Sequence, residues 1–287
     1  MIWTVGFLMC QGANRALLVG VGNYPASSGW LRLCSTHDVT LLKPALESRG
    51  FAVRTLVDGQ ATHRGIVTAL KTLTSECRAG DQVVIHFSCH GQQVEDLNGD
   101  ESDGLDESII PYDAERRYSA RYHGQHHLLD DELNGYLVRL RKRLGSHGML
   151  LVTIDACHSG DAYRDLGEAA VTDTLVGTRR GVSDVLCKKP PYVRRGRSDG
   201  LHFEKKTRAQ GYSRIVVVGA CQPDQCNYET LVPTRHGRTS YGTLSYMLWH
   251  GLHRDGRLDL RELGHWLVTY KSLYMNRYQQ PHLFEEE

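Results

Sequence analysis

Short runs of apolar residues alternate along this chain with longer segments in which apolar positions recur every three or four residues. Five runs rich in Val, Ile and Leu, each bounded by glycine or polar residues, have the length and composition of buried strands. They are residues 16–21, 51–57, 82–88, 149–154 and 214–219. Because their apolar positions are nearly continuous, both faces of each strand are expected to be covered, as in a parallel sheet.

Helical periodicity follows or separates these strands. The repeating apolar positions, together with capping residues, predict four helices. They are expected to begin at or near Thr62, Asp130, Ser240 and Asp259. The second is expected to stop at Gly145. The apolar stripes of all four helices are interpreted as core.

Alternating strands and helices predict an α/β fold with a doubly wound, mostly parallel sheet. Ligands of such sheets lie at the carboxyl ends of the strands. Two polar segments, HFSCHG at 86–91 and DACHSG at 155–160, fall at such ends. This edge of the sheet is therefore where we expect the functional site.

Composition narrows the function classes only modestly. The chain has 287 residues, of which 40% are hydrophobic and 23% are charged, with a formal net charge of +1. This is ordinary globular composition with no overall nucleic-acid or membrane signature. Eight cysteines occur without a CxxC pair, so neither a zinc site nor a disulfide framework is indicated.

The first ten residues, MIWTVGFLMC, are apolar but too short to span a bilayer. Two interpretations stay open: the end of a secretory signal peptide, or an edge strand. The first would make the protein secreted or periplasmic, and the second would leave it in the cytoplasm.

A basic stretch at residues 167–212 lacks clear periodicity and is expected to be a long, exposed connection. Long loops of this kind are usually functional or mobile. It can be a solvated linker, a nucleic-acid patch or a segment that a protease cleaves. Its few aromatic residues argue against nucleic-acid binding by stacking.

The strand-end residues suggest cysteine chemistry. A free thiol titrates near pH ~8.5, so a nucleophilic cysteine needs a neighbouring base. His90 and Cys157 end two different predicted strands and can face each other, whereas His158 adjoins Cys157 and diverges from it. His90 is therefore the predicted base, and His86, inside its strand, is interpreted as a core residue. The N–H groups of Gly91 and Cys157 are the candidate oxyanion hole.

The order of these motifs resembles a known family. Ser88-x-His90-Gly91, DGLDESIIPYD, LDDELN and Asp155-x-Cys157-His158-Ser159-Gly160 are similar to the motifs of caspase-type cysteine peptidases, specifically metacaspases and their bacterial relatives. VVVGACQPDQCNYE and TSYGTLSYML resemble the smaller caspase subunit, so the likeness covers roughly residues 15–285. One departure is Cys89, where the family usually has glycine.

The resemblance implies a caspase-like three-layer α/β/α sandwich around a mostly parallel sheet of about six strands. It divides the chain into an apolar N-terminal segment at 1–14, a large-subunit-like catalytic part at 15–166, a flexible basic linker at 167–212 and a small-subunit-like part at 213–287 on the same sheet. It also implies a thiol endopeptidase, expected to act as a monomer on proteins. The alternative is a catalytically silent interaction module of the same fold.

Substrate preference follows from the same resemblance. It implies a pocket for the P1 side chain, the residue before the cleaved bond, formed by Asp38, Ser88 and Asp155 with Asp131 or Asp130 alongside. Carboxylates favour arginine or lysine. The linker contains such residues, and the candidate sites of self-cleavage are Arg180, Lys189, Arg195 and Lys206.

No cofactor is needed for this chemistry, but calcium is a second expectation. The acidic segment DLNGDESDGLDE at 96–107 can be a solvated hairpin, and it lacks the glycine of an EF-hand. The metacaspase resemblance implies instead a calcium site formed by Asp106, Asp130 and Asp131, with Asp165 or Asp161 completing it.

Overall fold

The computed structural model describes residues 12–96, 99, 104–157, 176–180, 186–188, 210–221, 225–235, 237–275 and 279–286. Within these residues the strands, in chain order, are β1 (Asn14–Gly20), β2 (Phe51–Val57), β3 (Gln82–Ser88), β4 (Gly91–Glu95), β5 (Leu105–Ile109), β6 (Leu128–Leu129), β7 (Met149–Asp155), β8 (Val176–Arg179), β9 (Arg214–Gly219), β10 (Tyr228–Thr234), β11 (Gly237–Gly242) and β12 (His282–Glu286). The α-helices are α1 (Ser35–Ser48), α2 (His63–Glu76), α3 (Asp130–Leu144), α4 (Thr243–Leu252) and α5 (Leu260–Thr269).

Six strands form the central sheet, in the order β12-β9-β7-β3-β1-β2. Five of them run parallel, and only β12 is antiparallel to its neighbour β9. All five predicted strands are therefore confirmed to within two residues at their ends. Their apolar side chains are buried on both faces, which explains why the sequence shows runs rather than alternation.

Helices cover the sheet on both sides. One buried cluster combines the sheet with α2 and α3, and the other combines it with α1, α4 and α5. This is the predicted three-layer α/β/α sandwich. Two small three-stranded sheets, β4-β5-β6 and β11-β10-β8, extend from it. No helix among the described residues is long and apolar enough to cross a membrane.

The helix boundaries mostly follow their capping residues. The side chain of Thr62 accepts a hydrogen bond from the N–H of Gly65, and that of Asp259 accepts from Arg261 and Glu262. The helix expected from Ser240 begins instead at Thr243, because residues 237–242 pair with β10 as strand β11. At α3, the N-cap position is Leu129 and Asp130 is the first helical residue.

Only a part of the described connection is exposed, namely Lys188, Gln210 and Gly211. Strand β8 is hydrogen-bonded to β10, and Arg180, Leu186 and Cys187 are buried. The expectation of an exposed connection is therefore wrong for these residues: the backbone of β8 pairs with β10, and buried carboxylates neutralise the charge of Arg180. Lys189, Arg195 and Lys206 lie outside the described residues, as do residues 1–11.

Candidate active site

The sheet register brings the two strand ends together. Strands β3 and β7 are neighbours, and their last paired residues are Ser88 and Asp155. His90 and Cys157 each follow two residues later, so both lie at the same edge of the sheet. The predicted base and nucleophile thus follow neighbouring strands at the carboxyl edge of the sheet, where ligands of such sheets bind.

His90 is held in one orientation. Its Nε2 lies 2.9 Å from the carbonyl oxygen of Leu31, so Nε2 carries the proton and donates it. The imidazole stacks on Trp30 with ring centroids 5.0 Å apart and contacts Tyr24 at 5.4 Å. Nδ1 is buried and has no hydrogen-bond partner among the described residues, which leaves its lone pair available.

Burial determines the charge of this imidazole. His90 is 1% exposed, and desolvation lowers its pKa to about 4, although the hydrogen bond to Leu31 acts in the opposite direction. His90 is therefore neutral near pH 7 and can accept a proton. His86, by contrast, is bonded inside the core to Thr153 and Ser245, which agrees with its interpretation as a core residue.

Cys157 is fully buried at the end of β7. Its thiol contacts the carbonyl oxygen of Gln225, with a sulfur–oxygen distance of 3.4 Å. Cys89 is also buried, and desolvation raises its pKa to about 12, so it stays protonated beside His90.

Arg180, from the basic connection, fills a pocket at this edge of the sheet. One guanidinium nitrogen lies 2.6 Å from the hydroxyl of Ser88, and the other lies 2.7 Å from Oδ2 of Asp38. Asp155 Oδ1 is 3.7 Å and Glu229 Oε1 is 3.5 Å from the guanidinium. Arg180 has no exposed surface.

The pocket is strongly acidic. Burial raises the pKa of Asp38, and Arg180 acts against that rise. Burial would also raise the pKa of Asp155, but Arg180 and hydrogen bonds from Asn227 and Ser245 hold it below its usual range. Burial alone would lower the pKa of Arg180, and the surrounding carboxylates raise it instead. A cation in this pocket is therefore strongly stabilised.

A glycine forms one wall of the pocket. The backbone N–H of Gly242 donates to Oδ1 of Asp38 at 2.9 Å. A Cβ atom at Gly242 would lie 2.2 Å from Oδ2 of Asp155 and 2.7 Å from the guanidinium carbon of Arg180. Only glycine leaves enough room for the cation at this point.

The main chain of Arg180 is bound as specifically as its side chain. Its carbonyl oxygen accepts hydrogen bonds from the N–H of Cys157 at 3.0 Å and from that of Gly91 at 3.3 Å. Its own N–H donates to the carbonyl oxygen of Asn227 at 3.0 Å. Arg180 therefore makes three kinds of contact at once. Its side chain fills the pocket, its carbonyl oxygen binds the two predicted oxyanion donors, and its N–H binds the residue that precedes β10.

The connection is bound on both sides of Arg180. Before it, β8 adds an antiparallel strand to β10. After it, Leu186 exchanges backbone hydrogen bonds with Gln93 and Glu95 of β4 and packs against Trp30. An extended peptide bound to a strand edge is a common way for proteins to hold a peptide ligand.

The structure brings together most of the residues that the sequence nominated for the pocket. Asp38, Ser88 and Asp155 contact Arg180, whereas Asp131 lies at the start of α3 and is not among the described contacts of Arg180. Sequence reasoning missed Glu229 and the carbonyl oxygens of Leu31 and Asn227. The signal for Glu229 was the segment VVVGACQPDQCNYE, which ends with this residue and resembles the smaller caspase subunit, but no role had been assigned to the carboxylate.

The elements that carry the described members of the predicted calcium site are neighbours, since β5 pairs with β6. Asp106 lies on β5, and Asp130 and Asp131 open α3, which follows the paired strand β6. The described residues contain no group of three or more His, Cys, Asp or Glu side chains that could hold a metal ion. Asp161 and Asp165 lie outside the described residues.

Comparisons with known proteins agree with this site. Residues 14–166 match the family model "Metacaspase, peptidase C14 domain". The chain is 37% identical to Metacaspase-1 of Eremothecium gossypii over 166 residues, which are 54% of this chain and 34% of that protein. It is 29% identical to Metacaspase-1 of Mycosarcoma maydis over 267 residues, 83% of this chain and 63% of that protein.

These curated relatives are longer than the chain, whose matches span between 34% and 63% of them. A crystal structure of a Geobacter sulfurreducens protein superposes with a TM-score of 0.62 at 21% identity, covering 96% of this chain and 93% of that one. At that identity the likeness is evidence for the fold alone.

Proposed function

The chain belongs to the metacaspase family, and we propose that it is a cysteine endopeptidase that cleaves after arginine, and more slowly after lysine, beginning with its own Arg180–Gly181 bond. One observation carries the proposal. The carbonyl oxygen of Arg180 accepts hydrogen bonds from Gly91 and Cys157 while its guanidinium fills a carboxylate pocket. This is the arrangement expected of a P1 residue next to a nucleophile.

The chemistry follows from the tautomer of His90. Nδ1 of His90 takes the proton of the Cys157 thiol, and the thiolate attacks the carbonyl carbon of Arg180. The N–H groups of Gly91 and Cys157 stabilise the oxyanion that forms. The imidazolium then gives its proton to the nitrogen of Gly181, which leaves as an amine. Water, activated by the same imidazole, hydrolyses the thioester.

The pocket geometry supports a preference for arginine over lysine. The guanidinium uses two nitrogens at once, one on Ser88 and the other on Asp38. A lysine ammonium is a single point and cannot satisfy both sides of the pocket. An aspartate side chain would face Asp38, Asp155 and Glu229 at close range, so cleavage after aspartate is disfavoured.

The same geometry makes the uncut chain self-inhibited. Arg180 occupies the pocket and β8 occupies the edge of β10, so an external peptide cannot bind until both leave. Cleavage would free the new end at Arg180 to dissociate, while the two parts stay joined through β7 and β9 of the central sheet.

Calcium stimulation is a separate part of the proposal. It is supported by the position of Asp106, Asp130 and Asp131 at one end of the small β4-β5-β6 sheet, since carboxylate oxygens suit calcium. A thermal shift with calcium that is absent in an Asp106→Asn variant would support the site. Activity that EDTA does not reduce would remove it.

Fluorogenic peptides that differ only at P1 test the function. Purified protein should hydrolyse the Arg peptide best, the Lys peptide more slowly and the Asp peptide not at all, and Cys157→Ala should be inactive on all three. Hydrolysis by the Cys157→Ala protein, or efficient cleavage after Asp, would refute the proposal. A wild-type protein that neither cuts itself nor hydrolyses any of the peptides would favour the alternative of a silent interaction module.

A further inference from the structure

Two cysteines that hydrolysis does not use lie beside Cys157. Strands β7 and β9 are parallel neighbours, and their last paired residues are Ile154 and Gly219. The N–H of Ala220 continues this pairing, donating to the carbonyl oxygen of Ile154 at 3.0 Å. Cys221 therefore leaves β9 alongside the residues that lead from β7 to Cys157. Cys226 reaches the same place from the segment that precedes β10.

The three thiols lie close together at this edge of the sheet. The Cys157 thiol raises the pKa of both Cys221 and Cys226, as expected of thiols that lie close to it. The Cys157 thiol also contacts the carbonyl oxygen of Gln225, the residue next to Cys226. All three are free thiols in the structure. A nucleophilic cysteine with a second thiol beside it is a common arrangement in redox-sensitive proteins.

We propose that Cys221 is a resolving cysteine, which traps an oxidised Cys157 as a reversible Cys157–Cys221 disulfide. A peroxide supplies the oxidant: the Cys157 thiolate attacks one peroxide oxygen, the O–O bond breaks, and Cys157 becomes a sulfenic acid while the other oxygen leaves as hydroxide. The Cys221 sulfur then attacks the Cys157 sulfur, the S–O bond breaks, and water leaves with the Cys221 proton. Two electrons pass from the two thiols to one peroxide.

The surroundings favour Cys221 over Cys226 for this role. Cys226 is 4% exposed, whereas Cys221 is only half-buried, so a reductant can reach a disulfide at Cys221 more easily. Cys226 also adjoins Asn227, whose side chain is bonded to Asp155 at 2.7 Å and to Gln279 at 2.6 Å. Forming a disulfide needs a small backbone adjustment, and these bonds oppose it at Cys226.

The disulfide would switch the enzyme off and protect it. With its sulfur engaged, Cys157 cannot attack a peptide, and it cannot be oxidised further to the irreversible sulfinic acid. In the uncut chain Cys157 has no exposed surface, so the switch acts on the cleaved enzyme. The inference rests on the proposed function in one respect only, namely that Cys157 is the reactive thiol.

The test compares reversibility in three proteins. Cleaved wild type, Cys221→Ser and Cys226→Ser are treated with hydrogen peroxide, and the activity that dithiothreitol restores is expressed relative to each protein's own starting activity. Wild type and Cys226→Ser should recover most of it. Cys221→Ser should recover severalfold less, because its Cys157 passes on to the sulfinic acid. Equal recovery by Cys221→Ser and wild type would overturn the proposal.

Peptide mapping under non-reducing conditions gives a readout that does not depend on activity. Peroxide-treated wild type should yield a linked peptide containing Cys157 and Cys221. Detection of Cys157–Cys226 instead, or of sulfinic acid at Cys157 without any disulfide, would contradict the assignment. If the protein were not a peptidase, the map would still report the disulfide, so the failure of either idea can be recognised separately.

Discussion

The carbonyl oxygen of Arg180 lies 3.0 Å from the backbone nitrogen of Cys157. The guanidinium of the same residue lies 2.7 Å from Asp38. The two contacts lie at opposite ends of Arg180, so its carbonyl group is fixed against the backbone of Cys157. A segment that the chain could have left in solvent is instead bound as a substrate would be, and the predictions below follow from that relationship.

The base can be tested through the rate of linker cleavage. His90→Ala should slow cleavage by about 10²–10⁴-fold, because positioned proton transfer typically contributes that much. His158→Ala is the matched control and should lose less. The measurement is the disappearance of full-length protein on a denaturing gel over time. A larger loss in His158→Ala than in His90→Ala would show that the base has been assigned to the wrong histidine.

Glu229 should contribute to the selection of arginine. Its Oε1 lies 3.5 Å from the guanidinium and also accepts the N–H of Cys34 at 2.6 Å, a bond that glutamine can preserve. In the cleaved enzyme, Glu229→Gln should lower kcat/KM for an Arg peptide by about tenfold, equivalent to about 1.4 kcal/mol. The exposed Glu262→Gln serves as the control. An unchanged kcat/KM in Glu229→Gln would remove this residue from the pocket.

Occupation of the pocket should protect the nucleophile. Cys157 has no exposed surface while Arg180 is bound. In the uncut His90→Ala background, iodoacetamide should therefore label Cys157 slowly, and the added change Arg180→Ala should speed labelling at least about tenfold by loosening the segment over the thiol. Mass spectrometry of the labelled peptide measures the rate. Equal rates with and without Arg180 would mean that this residue does not close the site.

Folding stability should fall as the pH drops below the normal histidine range. Burial lowers the pKa of His86 and His90 to about 4 and that of His127 to about 3. Below pH ~6.5 these three histidines are protonated in the unfolded chain but stay neutral in the folded protein. The free energy of unfolding is therefore unaffected by the protonation of these histidines above pH ~6.5. It decreases progressively towards pH ~4, by up to ~1.4 kcal/mol per pH unit for each histidine.

Urea unfolding of Cys157→Ala between pH 7.5 and 5 measures this slope without interference from self-cleavage. Replacing His86 by Asn in the same background should reduce the change of the free energy of unfolding with pH by about the amount that one histidine contributes. A free energy of unfolding that stays constant across this range would show that the three imidazoles are not held neutral by the fold.

The central sheet was predictable because its strands are buried on both faces and therefore appear in the sequence as continuous apolar runs. The position of His90 and Cys157 at one edge of the sheet was predictable for a related reason, since each follows such a run within two residues. Strand β12 was not, because HLFEE is an antiparallel edge strand with only two apolar residues. Helix α1 was missed as well, and Pro44 within it is an unfavourable helical residue by propensity.

The bound position of Arg180 could not be deduced from sequence alone. Nothing in TRRG separates it from the other basic residues of the connection. Its burial depends on carboxylates from three distant elements, namely Asp38 of α1, Asp155 of β7 and Glu229 of β10. Only the assembled fold shows that Arg180 is the basic residue that reaches all three carboxylates among the described residues of the connection.

The most direct test of the account is to identify the new N-terminus that purified protein generates. Intact-mass measurement and N-terminal sequencing of wild type should give two fragments, the second beginning at Gly181, at a first-order rate that does not depend on protein concentration. Cys157→Ala and Arg180→Ala should stay intact, whereas the matched Arg179→Ala should still be cut after Arg180. Cleavage of Arg180→Ala at the wild-type rate, or a fully active wild type that remains a single chain, would contradict the claim that Arg180 is bound as the first substrate of Cys157.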